Sequence, residues 1–301
     1  MKIAIFSDLH IHNYKRFDVN GSRLLNCLSA LSSIFWYCHN TGIRHIVFGG
    51  DLFDQKKALP TEVINATAKA FSLLFSQHPD IEFYAISGNH DHATKNLYDN
   101  PCEHSLTWLS YMFPNNFTVI DNGAYRLPEV TIYGIPYYQT KEDFDKALQR
   151  AKGQLLFIHQ TPYGIKNKFI HTDVDPSDFM HFKHVFCGHI HQHEKLLDNF
   201  TVIGSPLHRD FGDVGEDNGF LVYDTQTNTF VRELLGLPKF EKVQTITEES
   251  QNYQQEIVQE IEQHTDLEQY DNSKSHSELV TNYWKDNSED EQLLNVGKSL
   301  L

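Results

Sequence analysis

The sequence predicts an α/β chain built as a four-layer α/β/β/α sandwich with a short helical C-terminal tail. Three observations carry that expectation. Apolar strand-like runs alternate with amphipathic helical stretches over residues 2–91. Each run stops abruptly at a residue able to hold a metal or move a proton. Further short apolar runs follow after residue 115, enough for a second sheet.

Lys2–Ser7 reads as a strand leading into Asp8-Leu-His10. From Gly21 to His39, the residues Leu24, Leu25, Leu28, Leu31, Phe35 and Cys38 recur at helical spacing, and Gly42 closes the helix. His45–Asp51 is the next strand. Pro60 and Thr61 start a helix running to about Gln77, with Val63, Ala66, Ala70, Phe71 and Leu74 on one face. Glu82–Ser87 then runs into Gly88-Asn-His-Asp91. This alternation implies parallel strands with right-handed crossovers. Functional residues in such sheets collect beyond the carboxyl ends of the strands, where Asp8, His10, Asp51, Asn89 and His90 all fall.

The second part changes character. A short helix is expected around Glu103–Met112, followed by Phe117–Ile120 and Val130–Pro136 as strands in hairpin-like succession. Thr140–Lys152 reads as a solvated helix, and Gln154–His159 and His184–His193 as strands. Thr201–Pro206, Gly219–Asp224 and Thr229–Leu235 are expected to complete the second sheet. Pro238 marks a boundary between a domain of residues 1–237 and a tail of residues 238–301. In the tail, Thr247–His264 and Glu278–Trp284 are expected to be helical, joined by the linker-like Asp271-Asn-Ser-Lys-Ser.

Composition narrows the function. The net charge of −15 argues against a simple basic nucleic-acid clamp. From Glu241 onward there are 14 acidic and 4 basic residues, so much of that charge sits in the tail. No window is apolar and long enough to cross a bilayer, and the first residues lack the pattern of a secretion signal. Cys27, Cys38, Cys102 and Cys187 are scattered, as expected of free thiols in a reducing cytoplasm.

The chemistry rests on five blocks: Asp8-x-His10, Gly50-Asp51, Gly88-Asn-His-Asp91, His159 and Gly188-His-x-His191. Residues two apart on an extended chain share a face, so each HxH or DxH pair can address neighbouring ions. Carboxylate with imidazole suits borderline divalent ions, Mn²⁺ first, with Mg²⁺, Fe²⁺ or Zn²⁺ as alternatives. His12 and His193 extend the two patterns by one step and read as neighbours, not ligands. His208 and Arg209 stand where they could touch a substrate or serve structure.

In these blocks and their order, residues 1 to about 235 resemble the calcineurin-like metallophosphoesterases. The resemblance implies two divalent metal ions: Asp8, His10 and His191 on one, Asn89, His159 and His189 on the other, and Asp51 bridging. It further implies that His90 faces the scissile phosphate as a catalytic residue, with Asp91 orienting its ring. Gly50-Asp-Leu-Phe-Asp54, Ile203–Asp213 and Gly219–Asp224 are similar to segments of SbcD-type DNA exonuclease subunits. That likeness implies DNA as substrate, an SbcC-type coiled-coil ATPase as partner, and a homodimer in the cytoplasm (the host's, if the chain is viral). The short tail is similar to compact bacteriophage versions of the family. It would either pack on its own domain or dock on the ATPase through Tyr253, Ile257, Ile261 and the Leu279–Trp284 stripe. One departure stands at Asp54, where some relatives carry a histidine. The alternative is a metallophosphatase or phosphodiesterase acting on nucleotides or phosphoproteins.

Overall fold

The fold, taken from a computed structural model, is described for residues 1–16, 18, 21–55, 58–92, 104–166, 174–242 and 259–261. In chain order the first half runs β1 (Lys2–Phe6), α1 (Ser22–Thr41), β2 (His45–Phe48), α2 (Thr61–Gln77), β3 (Glu82–Ala85), α3 (Thr107–Met112) and β4 (Phe117–Val119). Next come β5 (Gly123–Arg126), β6 (Thr131–Ile135), α4 (Lys141–Leu148), β7 (Leu155–His159), β8 (His184–Gly188), β9 (Glu194–Leu197) and β10 (Phe200–Val202). β11 (Gly219–Asp224), β12 (Thr229–Leu234), β13 (Phe240–Lys242) and β14 (Gln259–Ile261) follow.

Two six-stranded sheets stack, one ordered β12-β11-β1-β2-β3-β4 and the other β5-β6-β7-β8-β10-β9. The period-two alternation of β1 explains the layering. Ala4 and Phe6 face the helices together with Leu31, Phe35 and Phe71, whereas Ile3 and Ile5 face the opposite sheet with Leu155, Phe157 and Phe186. A third core, around Phe144, Phe179, Val185 and Phe200, lies on the far side of the second sheet. The four layers are as expected. α1 ends at Gly42, whose φ of 74° is the left-handed cap that glycine adopts without a side-chain penalty.

Several expectations need correction. β11 and β12 join the first sheet, with β11 antiparallel to β1 (Ile3 opposite Tyr223). Residues 219–223 are buried throughout, which suits an interior strand covered on both faces. β4 is also in the first sheet, parallel to β3, because Phe117 stacks on Phe83 at 5.0 Å in the aromatic core beneath α2. β6 instead forms its hairpin with β5. The strand expected over His184–His193 ends at Gly188, since His189 takes a φ of 86° that breaks extension. Beyond the boundary expected at Leu237, Phe240 is buried against Phe211, and its N–H donates to His208 Nδ1.

In the tail, Gln259–Ile261 pairs antiparallel with Phe240–Lys242, so a single helix does not run from Thr247 to His264. Backbone pairing outweighs the weak helical periodicity of a polar segment. The remainder of that stretch, the linker at Asp271 and Glu278–Trp284 lie outside the described residues. Cys27, Cys38 and Cys187 are buried and not in disulfides, and Cys102 lies outside the described residues. Among the described residues no helix is long and apolar enough to cross a membrane.

Candidate metal centre

The carboxyl ends of β1, β2 and β3 meet those of β7 and β8 at one edge of the sandwich. Parallel strands aim their carboxyl ends one way, so loops far apart in sequence converge. β1 leads to Asp8 and His10, β2 to Asp51, and β3 to Asn89 and His90; β7 ends on His159, and β8 leads to His189 and His191. Positive φ values occur at Asp8 (57°), His10 (48°), Asp51 (61°) and His189 (86°). Such backbone costs about 1 kcal/mol or more per residue, so its concentration here marks geometry held for something other than stability. Two glycines permit the crowding. A Cβ on Gly50 would lie 2.4 Å from His159 Nδ1, and one on Gly88 would lie 2.1 Å from Asp51 Oδ1.

The donor atoms form two end groups, Asp8 with His10 and His191, and Asp51 with His159 and His189, and a further group of His10, Asp51 and His90 overlaps both. In the first, His10 Nε2 lies 3.8 Å from Asp8 Oδ1 and 3.2 Å from His191 Nε2. The same nitrogen is 3.6 Å from Asp51 Oδ2, which links the groups. In the second, His159 Nε2 is 3.3 Å from Asp51 Oδ2 and 3.1 Å from Asn89 Oδ1. His189 Nδ1 is 2.9 Å from that amide oxygen. All seven predicted ligand residues thus meet, with Asp51 between the groups.

This donor set fits divalent ions on chemical grounds. His159 donates Nδ1–H to the carbonyl of Gly49 at 2.7 Å, which leaves the Nε2 lone pair facing the site. His10 likewise turns Nδ1 away, to 3.1 Å from Asp54 Oδ1. Within the cluster the carboxylates lean on the imidazoles. Burial opposes charge on Asp51, but His159, His10 and His90 hold it well below the usual carboxylate range. Burial would lower His159 too, yet the Asp51 charge outweighs it and lifts His159 to about 9. Burial pushes His189 down to about 4, helped by neighbouring His159, and burial also lowers His10.

His90 sits at the mouth, its side chain 22% exposed and its ring 4.8 Å from that of His10. Its Nδ1–H donates to the carbonyl of Asp54 at 2.7 Å, which leaves Nε2 as the nitrogen available for proton transfer. Here the expected role of Asp91 is corrected. Its carboxylate does not hold the His90 ring; it accepts from the backbone N–H groups of Asp51 (2.8 Å), Gly88 (2.9 Å), Leu52 (3.1 Å) and Phe53 (3.2 Å). Burial, then the Asp51 charge, pushes Asp91 up to about 7 against the pull of these amides. Asp91 therefore shapes the loop that presents Asp51.

The neighbouring histidines have structural work. His12 Nδ1 is bonded to the carbonyl of His10 at 2.6 Å, and His193 Nδ1 to that of Val202 at 2.8 Å. His208 is buried, with Nε2 donating to the carbonyl of Glu216 at 3.0 Å. Sequence reasoning passed over Tyr137, whose ring lies 5.6 Å from that of His189. A position just beyond β6 was its only signal. Asp54 and Arg209 prove to be in contact, at 3.0 Å.

A fold of two stacked sheets with an imidazole–carboxylate cluster at their strand ends defines a class of metal-dependent hydrolase. The sequence profile of the calcineurin-like phosphoesterases matches residues 1–193. The chain belongs to that family, which is divalent-metal dependent and acts on phosphoester bonds. It is 26% identical over 262 residues to a protein of Invertebrate iridescent virus 6 named as a candidate phosphoesterase, 244L, covering 80% of this chain and 84% of the relative. It is 25% identical over 251 residues to exonuclease subunit 1 of Enterobacteria phage T4, covering 75% of this chain and 66% of the relative. A solved structure described as an archaeal phosphodiesterase matches with a TM-score of 0.40 at 13% identity, covering 78% of this chain and 100% of its own.

Proposed function

We propose that this chain is a two-metal DNA phosphodiesterase, the nuclease subunit of an SbcD-type complex. The observation that carries it is the paired arrangement of donors sharing Asp51, with His90 at the open side. Two divalent ions, Mn²⁺ by expectation, would supply an activated water and offset charge on the phosphate oxygens. Asp8, His10 and His191 would hold one, Asn89, His159 and His189 the other, with Asp51 shared. His90, with Nδ1 tied to the Asp54 carbonyl, would deliver a proton from Nε2 to the leaving oxygen. Asp91 keeps the Asp51 loop in place by accepting its amides.

DNA as substrate is supported by the Gly50–Asp54 and Ile203–Asp213 segments and by the likeness to the phage exonuclease subunit over three quarters of the chain. By the same reasoning the partners are an SbcC-type ATPase and a second copy of this chain. A net charge of −15 favours a second reading, a nucleotide phosphodiesterase or phosphoprotein phosphatase without a broad DNA-binding face. Parallel Mn²⁺-dependent assays on linear DNA, nucleotides and phosphopeptides separate the readings. Turnover confined to nucleotides or phosphopeptides would reject the nuclease. Co-purification of a chain ending at Lys242 with the ATPase, at full yield, would reject docking through the tail.

A further inference from the structure

Asp54 and Arg209 form a second charged layer outside the donor cluster. The Asp54 side chain is 5% exposed, and its Oδ1 lies 3.1 Å from His10 Nδ1 and 3.0 Å from Arg209 NH2. Neither approach is well aligned for a hydrogen bond, so Oδ1 is a charge shared between two cationic or N–H partners. On the other side, the Asp54 carbonyl holds His90 Nδ1 at 2.7 Å. One residue therefore touches His10, His90 and Arg209.

Arg209 is not needed in that position to hold its own loop. Its N–H donates to Asp213 Oδ2 at 2.7 Å, and its carbonyl accepts from Arg23 NH2 at 2.6 Å. Arg23 is in turn buried and lies over the Phe240 ring at 5.0 Å. The backbone is thus locked from both sides, while the side chain remains 32% exposed at the mouth. A guanidinium has five N–H donors in a fixed fork, and contact with Asp54 leaves most of them unspent. Asp54 lies against the guanidinium and Asp213 against the backbone of the same residue, so a cation here offsets the repulsion an anionic substrate would meet.

We propose that Arg209, anchored by Asp54, is a substrate-contacting residue that grips a non-bridging oxygen of the phosphoester presented beside His90. Asp54 is the positioning residue that fixes both the guanidinium and the His10 ring. This inference rests on the phosphoesterase reading of the site and adds the group that recognises the anion. It also accounts for an acid at position 54: the carboxylate recruits an arginine from a loop 155 positions further along the chain.

The test uses full-length Mn²⁺-loaded protein and the variants Arg209→Ala, Arg209→Gln and Arg209→Lys. Bound manganese, the thermal midpoint, kcat and KM for bis(4-nitrophenyl) phosphate, and calorimetric binding of inorganic phosphate are measured on each. Loss of a charge-assisted bond predicts about a tenfold or larger rise in KM and a like weakening of phosphate binding in Arg209→Ala. Manganese content should stay unchanged, and Arg209→Lys should recover part of the affinity. Wild-type KM and phosphate affinity in Arg209→Ala, or loss of manganese in step with activity, would overturn the proposal. Should the alanine variant fail to fold, the Gln and Lys pair, differing in charge, gives the same two outcomes. Wild-type protein inactive on every phosphoester would defeat the functional reading alone, because phosphate binding still reports on Arg209.

Discussion

The two flanks of the centre use the same residue types but are held by different means. On the His159 flank the ring is fully buried, its Nδ1 is bound by the Gly49 carbonyl, and Gly50 leaves no space for a side chain. Backbone fixes that flank. On the His10 flank the outward nitrogen faces Asp54, which is shared with Arg209. Side-chain charge holds this one, and it opens to the mouth. The contrast teaches where change is tolerated: the backbone-held flank admits almost none, whereas the charge-held flank can be retuned without rebuilding the fold.

The largest effect should come from what both flanks share. Asp51→Ala removes the carboxylate between them, and Gly88→Ala drives a Cβ to within 2.1 Å of it. Both variants are expected to lose bound manganese and all measurable hydrolysis, as read by elemental analysis and diester turnover. Full metal content in Asp51→Ala would dissolve the idea of a shared residue. Next comes His90→Ala, which removes none of the seven residues assigned as ligands. It should cost about 10²–10⁴ in kcat with manganese retained. Activity within a few fold of wild type would remove His90 from proton transfer.

Asp54→Asn sharpens the comparison itself. Supporting partners of ligand histidines are worth about 10–100-fold in metal affinity. One of two calorimetric Mn²⁺ sites should weaken by that amount and the other stay put; equal weakening of both would show that the flanks are coupled.

The smallest effect is in pH. Below about 9 the metal-free His159 carries a proton that a metal must expel, because the Asp51 charge lifts its pKa. Affinity at that flank should rise by up to about tenfold per pH unit from pH 7 and level off above pH 9. His10, lowered by burial, is already neutral and releases nothing in that window. Proton release, read from calorimetry in buffers of different ionisation enthalpy, should therefore come from one flank. Release that is absent at pH 7 would contradict the Asp51–His159 pairing.

The first sheet's parallel half and the ligand residues were legible because their signals are local. Alternation along β1, β2 and β3, glycines beside Asp51 and Asn89, and the two-residue spacing of His189 and His191 need only a few consecutive positions. Other features were not legible. β11 reads as one more second-sheet strand until it is seen paired with β1, more than 200 residues earlier in the chain. The family resemblance implies that Asp91 orients the His90 ring. Left-handed backbone at Asp51 instead turns three successive amides onto its carboxylate.

By itself, the sequence determined which side chains can bind a metal and which strand ends present them, since side-chain chemistry and the periods of helix and strand are written in neighbouring residues. Tertiary structure alone decided which sheet takes the last two long strands, what holds each ligand ring, and that Arg209 meets Asp54. Those depend on contacts between segments far apart in the chain. Such contacts are set by how the layers pack, and no local spacing encodes them.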